Sequence, residues 1–155
     1  MKPLFASTLA LAVAASAPAV AQSYTSFGLG YTDDDSAVFT LRWHSEPRPA
    51  GWSWAAGLYA THRGAAWIGG GVSYTLRPGA GSWFIRGSVM PGLYHRGNGT
   101  NLGGPFEIAT GIEVGTELRN GAQLSMLLEH RSNAGIYNTN PGLNSLSVLY
   151  SIPLN

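Results

Sequence analysis

The run Glu129-His130-Arg131-Ser132-Asn133-Ala134-Gly135 gathers the groups that nucleophilic ester cleavage requires. Serine is a poor nucleophile at neutral pH until an adjacent base takes its proton. Imidazole titrates in the right range to be that base. A third group must hold the ring in one tautomer, and amide donors must meet the charge that develops on the ester oxygen. His130 and Ser132 are two residues apart, so on a strand both side chains leave the same face. Their Cα atoms then stand about 6.6 Å apart, so the pair needs side chains that lean together, or a bulge at the strand end. Asn133, Ala134 and Gly135 follow at once as candidate oxyanion or substrate-binding residues. A plainer reading is that His130 and Ser132 lie where a strand leaves a membrane, a depth at which polar residues are ordinary.

The elements that position this run are strands. Period-2 alternation recurs at 23–31, 37–45, 52–61, 66–76, 82–93, 106–118, 123–132 and 143–154. In the sixth segment Phe106, Ile108, Ile112, Val114 and Leu118 share one face, and Glu107, Glu113 and Glu117 share the other. In the seventh, Leu124, Met126 and Leu128 precede His130 and Ser132 on a single face. An apolar stripe opposite acids and small residues fits lipid outside and a polar lumen inside. Eight such strands predict an all-β, antiparallel transmembrane barrel, the smallest common closed form. Its lumen is expected to hold Arg42, Arg86, Glu113, Glu117, Glu129 and Arg131, with opposite charges paired. Short breakers at 46–51, 77–81 and 119–121 are expected at the periplasmic end, and longer loops outside the cell. The seventh strand then ends near the outer leaflet. Asn144, at the start of the eighth, becomes a neighbour of His130 across the hairpin.

Composition supports this architecture. Charged residues make up 11% of the chain, where a typical globular protein has about 25%. There are 21 glycines, 5 tryptophans and 7 tyrosines, and no run beyond residue 21 is long and apolar enough for a spanning helix. Cysteine is absent, so no disulfide framework is available. A net charge of +1 argues against a nucleic-acid partner. Lys2, the apolar run from Leu4 to Ala15 and the Ala19-Val20-Ala21 ending form a signal peptide over residues 1–21, leaving 22–155 as one barrel domain. His44, His62 and His95 lack metal-ligand spacing, and Asp33-Asp34-Asp35 reads best as a solvated turn. Gly69-Gly70-Gly71 lies within a strand, outside any phosphate-loop context, and the Trp and Tyr residues are expected in the interfacial girdles.

The segment His130-Arg131-Ser132-Asn133-Ala134-Gly135 resembles the His-x-Ser-Asn-Ala-Gly signature of the lipid A 3-O-deacylases. The likeness extends over residues 22–155 in length and strand pattern, and is specific mainly over Phe106 and residues 129–144. It implies an eight-stranded barrel in the outer membrane of a Gram-negative bacterium, working on its outward face. The implied activity is that of a serine esterase that removes the acyl chain at position 3 of lipid A and releases a 3-hydroxy fatty acid. The implied substrate partner is lipopolysaccharide amid outer-membrane lipid; no metal or other cofactor is implied, and a homodimer is compatible with it. Carried over, His130 is the general base and Ser132 the nucleophile, with Phe106, Asn133 and Asn140 near the site.

One position departs from the family pattern. An acid is expected at the start of the last strand, where this chain has Asn144. An amide oxygen accepts the imidazole N–H and fixes its tautomer, but stabilises imidazolium less than a carboxylate does. Glu129 is nearest in sequence but points into the lumen by parity. Two other functions remain open at this level: a non-enzymatic barrel for adhesion or envelope integrity, and a phospholipid esterase.

Overall fold

The computed structural model describes residues 22–154; the expected signal peptide, 1–21, and Asn155 lie outside the described residues. The eight strands are β1 (Ser23–Thr32), β2 (Ala37–His44), β3 (Trp52–Thr61), β4 (Ala66–Leu76), β5 (Trp83–His95), β6 (Phe106–Glu117), β7 (Gln123–Ser132) and β8 (Leu143–Leu154). They pair antiparallel in chain order and close into a barrel. Closure runs from Ser23 opposite Leu154 to Thr32 opposite Ser145. In hydrocarbon an unpaired backbone edge costs several kcal/mol per group, and closure removes it.

Alternation sorts the side chains as the sequence pattern predicts. Leu124, Met126 and Leu128 of β7 face outward, while Ser125, Leu127, Glu129 and Arg131 face the lumen. The lumen is filled by two charged layers. Arg42 Nη1 donates to Glu129 Oε2 at 2.8 Å, and Arg131 also pairs with Glu129. Nearer the lower end, Arg86 pairs with Glu113 at 3.1 Å and donates to Gln123, while Ser125 donates to Glu113 at 2.7 Å. Buried charges need such partners to offset desolvation. Glu107 is also fully buried, yet among the described residues neither of its carboxylate oxygens has a hydrogen-bond partner. Glu117, expected in the lumen, instead sits half-exposed at the lower rim against Arg77, because the barrel opens at the strand's last residue.

The aromatic residues do not all join the girdles. Trp43, Trp54 and Trp83 face outward, but Tyr24, Tyr59, Trp67 and Tyr94 are buried. The Arg131 guanidinium stacks 3.9 Å from the Tyr59 ring centroid and 5.1 Å from that of Trp67. Side chains at Gly69 and Gly92 would collide with the Trp67 indole, so these glycines make its space. That accounts for part of the glycine run in β4.

Connections 33–36, 62–65, 96–105 and 133–142 cluster at the upper end. The upper loops lock together. Asn133 is fully buried and its Nδ2 donates to Leu102 O and Thr139 O, tying 133–142 to 96–105. Thr100 Oγ1 donates to Asp34 Oδ2 at 2.8 Å, tying 96–105 to the β1–β2 turn.

Candidate active site

The β6–β7–β8 register sets the site. Val89, Thr110, His130 and Asn144 stand opposite one another in one outward row across four strands. One step above, Ser132 pairs with Ile108. His130 is exposed on the outer wall, and Ser132, half-buried, ends the same stripe. His130 Nδ1 and Asn144 Oδ1 are 2.8 Å apart. An amide oxygen only accepts, so this contact assigns the hydrogen to Nδ1 and leaves Nε2 as the basic nitrogen. No hydrogen bond joins Ser132 to the ring among the described residues. Such contacts are often long in the unliganded state and tighten when substrate binds.

The loop after Ser132 turns sharply. Ala134 (φ 53°) and Gly135 (φ 80°) are both left-handed. Two of the three amides expected to face an oxyanion are engaged within the loop: Asn133 N–H donates to Asn140 Oδ1 at 3.2 Å, and Gly135 N–H to Asn133 Oδ1 at 2.9 Å. The Ala134 N–H makes no hydrogen bond among the described residues. Asn133 and Asn140 therefore brace the loop rather than present side chains to a ligand. Phe106, half-buried at the start of β6, donates its N–H to the Tyr137 hydroxyl at 3.2 Å. At the far end of the loop Gly142 (φ 74°) closes onto the imidazole; a Cβ there would lie 2.7 Å from His130 Cε1.

Glu129 is buried between Arg42 and Arg131, on the opposite side of the wall from His130. The acidic turn is not simply solvated. Asp33 Oδ2 accepts from Asn144 N at 3.1 Å and from Asn144 Nδ2 at 2.7 Å. At Asp34, burial raises the carboxyl, but hydrogen bonds from Thr32, Ser36 and Thr100 outweigh it and hold it below its ordinary range. Only strand closure, which places the end of β1 beside the start of β8, brings Asp33 to the site; no local motif signals it.

Below the row lies an outward groove of about 540 Å³ that begins at His130 and Asn144. Val72, Val89, Ile112 and Leu128 are among its walls, and Gly87, with open space above it, deepens it. Its surface is overwhelmingly apolar, which suits an alkyl chain. Among the described residues no cluster of three metal-ligating side chains is present.

Comparison with solved structures finds the same architecture. The crystal structure of the outer membrane enzyme PagL aligns with a TM-score of 0.69 at 22% identity, covering 84% of this chain and 99% of that one. A de novo designed transmembrane β-barrel aligns at 0.55 and 15% identity, over 86% of this chain and 96% of the design. The outer membrane protein Ail of Yersinia pestis aligns at 0.51 and 12% identity, over 85% and 99%. No curated protein sequence matches the chain. A family model described as lipid A 3-O-deacylase (PagL) matches residues 34–153. With most of its length covered by that match, the chain belongs to the lipid A 3-O-deacylase (PagL) family and is a carboxylic ester hydrolase of the outer membrane.

Proposed function

We propose that this barrel hydrolyses the 3-O-linked acyl ester of lipid A with Ser132 as nucleophile and His130 as general base. The observation that carries this reading is the 2.8 Å contact between His130 Nδ1 and Asn144 Oδ1 on the lipid-facing wall. It leaves Nε2 free on the side of the barrel where a lipid ester lies.

His130 Nε2 takes the proton of Ser132 Oγ as that oxygen attacks the ester carbonyl. The Ala134 N–H, free within the loop, is the donor available to the resulting oxyanion. Collapse breaks the ester C–O bond, and the sugar 3-oxygen leaves with the proton from His130. Water, deprotonated by the same nitrogen, then attacks the acyl-enzyme. A 3-hydroxy fatty acid departs and Ser132 regains its proton. The apolar groove beneath His130 receives the acyl chain. Lipid tails are as apolar as the groove wall, so the groove contributes position rather than transfer energy.

Mass spectrometry of lipid A from cells expressing the wild type, Ser132→Ala and His130→Ala tests this. Loss of one 3-hydroxy acyl chain with the wild type alone is expected. Full deacylation by either variant would refute the assignment. Release of a non-hydroxylated acid would point to phospholipid instead.

A further inference from the structure

Behind Asn144 stands a carboxylate that the three-residue site leaves unused. Asp33, one residue beyond the end of β1, receives two hydrogen bonds from Asn144 on the same oxygen: the backbone N–H at 3.1 Å and Nδ2 at 2.7 Å. In return Asp33 N–H donates to Asn144 O at 3.0 Å. The two residues therefore hold each other by main chain and side chain. We propose that Asp33 is a positioning residue for the deacylase reaction: it locks the Asn144 amide in the orientation that makes His130 a base, and supplies, one residue removed, the negative charge that position 144 lacks. This rests on the reading of Ser132 and His130 as nucleophile and base.

Donor and acceptor counts fix the orientation of the Asn144 amide. An ionised carboxylate only accepts, so the edge of the Asn144 amide facing Asp33 must be Nδ2. Its other edge, facing His130, is then Oδ1, which also only accepts. His130 Nδ1 must therefore carry the hydrogen, and Nε2 is the nitrogen with a free lone pair. Reversing the amide would set Oδ1 against the carboxylate, lose the bond to Asp33 and turn Nδ2 toward His130 Nδ1. It would also favour the tautomer protonated at Nε2, which cannot take the serine proton. A neutral group at position 33 imposes no such choice. As imidazolium develops, the Asp33 charge also polarises the intervening amide, since hydrogen bonds in a chain strengthen one another.

The test uses steady-state kinetics of the purified full barrel in vesicles containing lipid A. Asp33→Asn keeps an acceptor for the Asn144 N–H groups, so its thermal unfolding should match the wild type. Its kcat should fall about 10- to 100-fold with KM unchanged, the size of effect seen when a metal-bound histidine loses the partner that orients it. Asp35→Asn removes the same charge from the same turn, at an exposed left-handed position that Asn tolerates. It should keep the wild-type kcat. The exchange Asp33→Asn with Asn144→Asp moves the carboxylate next to His130 and reverses the amide contact, and should restore most of the lost kcat. A wild-type kcat in Asp33→Asn would overturn the proposal. So would a folded exchange variant no faster than Asp33→Asn. Ser132→Ala and His130→Ala in the same assay separate the two levels. If both are inactive while Asp33→Asn is unaffected, only the role of Asp33 fails. If either stays active, the underlying site assignment fails.

Discussion

Gly142 closes the 133–142 loop onto the imidazole, and its replacement by alanine should cost far more activity than stability. Its φ of 74° is left-handed, which costs an L-residue about 1–2 kcal/mol. The added Cβ would stand 2.7 Å from His130 Cε1 and 3.4 Å from Nε2. Carbon atoms pack at about 3.5–4.0 Å, so either the ring or the loop must retreat by about 1 Å. A misplacement of that size near reacting groups costs about 100-fold in rate, or about 2.7 kcal/mol of barrier. Gly79→Ala is the matched control. Gly79 has a φ of 68°, lies in the turn at the opposite end, and has nothing within 4 Å of an added Cβ. Initial rates of fatty-acid release and thermal unfolding should be compared for the wild type and both variants. Both should lose similar stability, and Gly142→Ala alone should lose rate. Equal rates for the two variants would refute the packing of this loop on His130.

Three further outcomes follow from the geometry. Gly87→Leu should put a side chain into the open space of the apolar groove and lower kcat/KM for long acyl chains more than for short ones, measured across a chain-length series. Asn133→Ala should remove the side-chain bonds to Leu102 O, Thr139 O and Gly135 N, at roughly 1 kcal/mol each. Limited proteolysis should then cut within 133–142 faster than in the wild type. Two of the buried glutamates should behave oppositely. Glu129→Gln strands Arg42 and Arg131 without their counter-ion and should destabilise the barrel by about 3–5 kcal/mol. Glu107→Gln removes an unbonded buried carboxylate and should leave Tm unchanged or raise it.

Strand identity and facing were legible because they depend on a local rule. Alternation places Leu124, Met126, Leu128, His130 and Ser132 outward, and the structure keeps that face. The hairpin register was equally local, and it sets His130 opposite Asn144. Two kinds of information were not local. The pairing of β1 with β8 involves no turn, so nothing near Asp33 in sequence indicated its contact with Asn144. The fates of individual aromatic residues depended on volume inside the lumen. Trp67 points inward by the same alternation that puts Ile68 outward, but whether the lumen holds its indole depends on Gly69 of its own strand and Gly92 of β5, which leave it space. The interlocked loops were hidden for the same reason. Asn133 reads as a donor to substrate until Leu102, some thirty residues earlier, is seen to claim its amide.

The most direct measurement is covalent. The purified barrel in vesicles should be treated with an alkyl p-nitrophenyl phosphonate, whose p-nitrophenolate leaves as a serine oxygen attacks phosphorus, and the adduct located by peptide mass spectrometry. One phosphonylated residue, Ser132, is expected, and no adduct in His130→Ala. A label on another residue in enzyme that is thereby inactivated, or undiminished labelling of Ser132 without His130, would contradict this assignment.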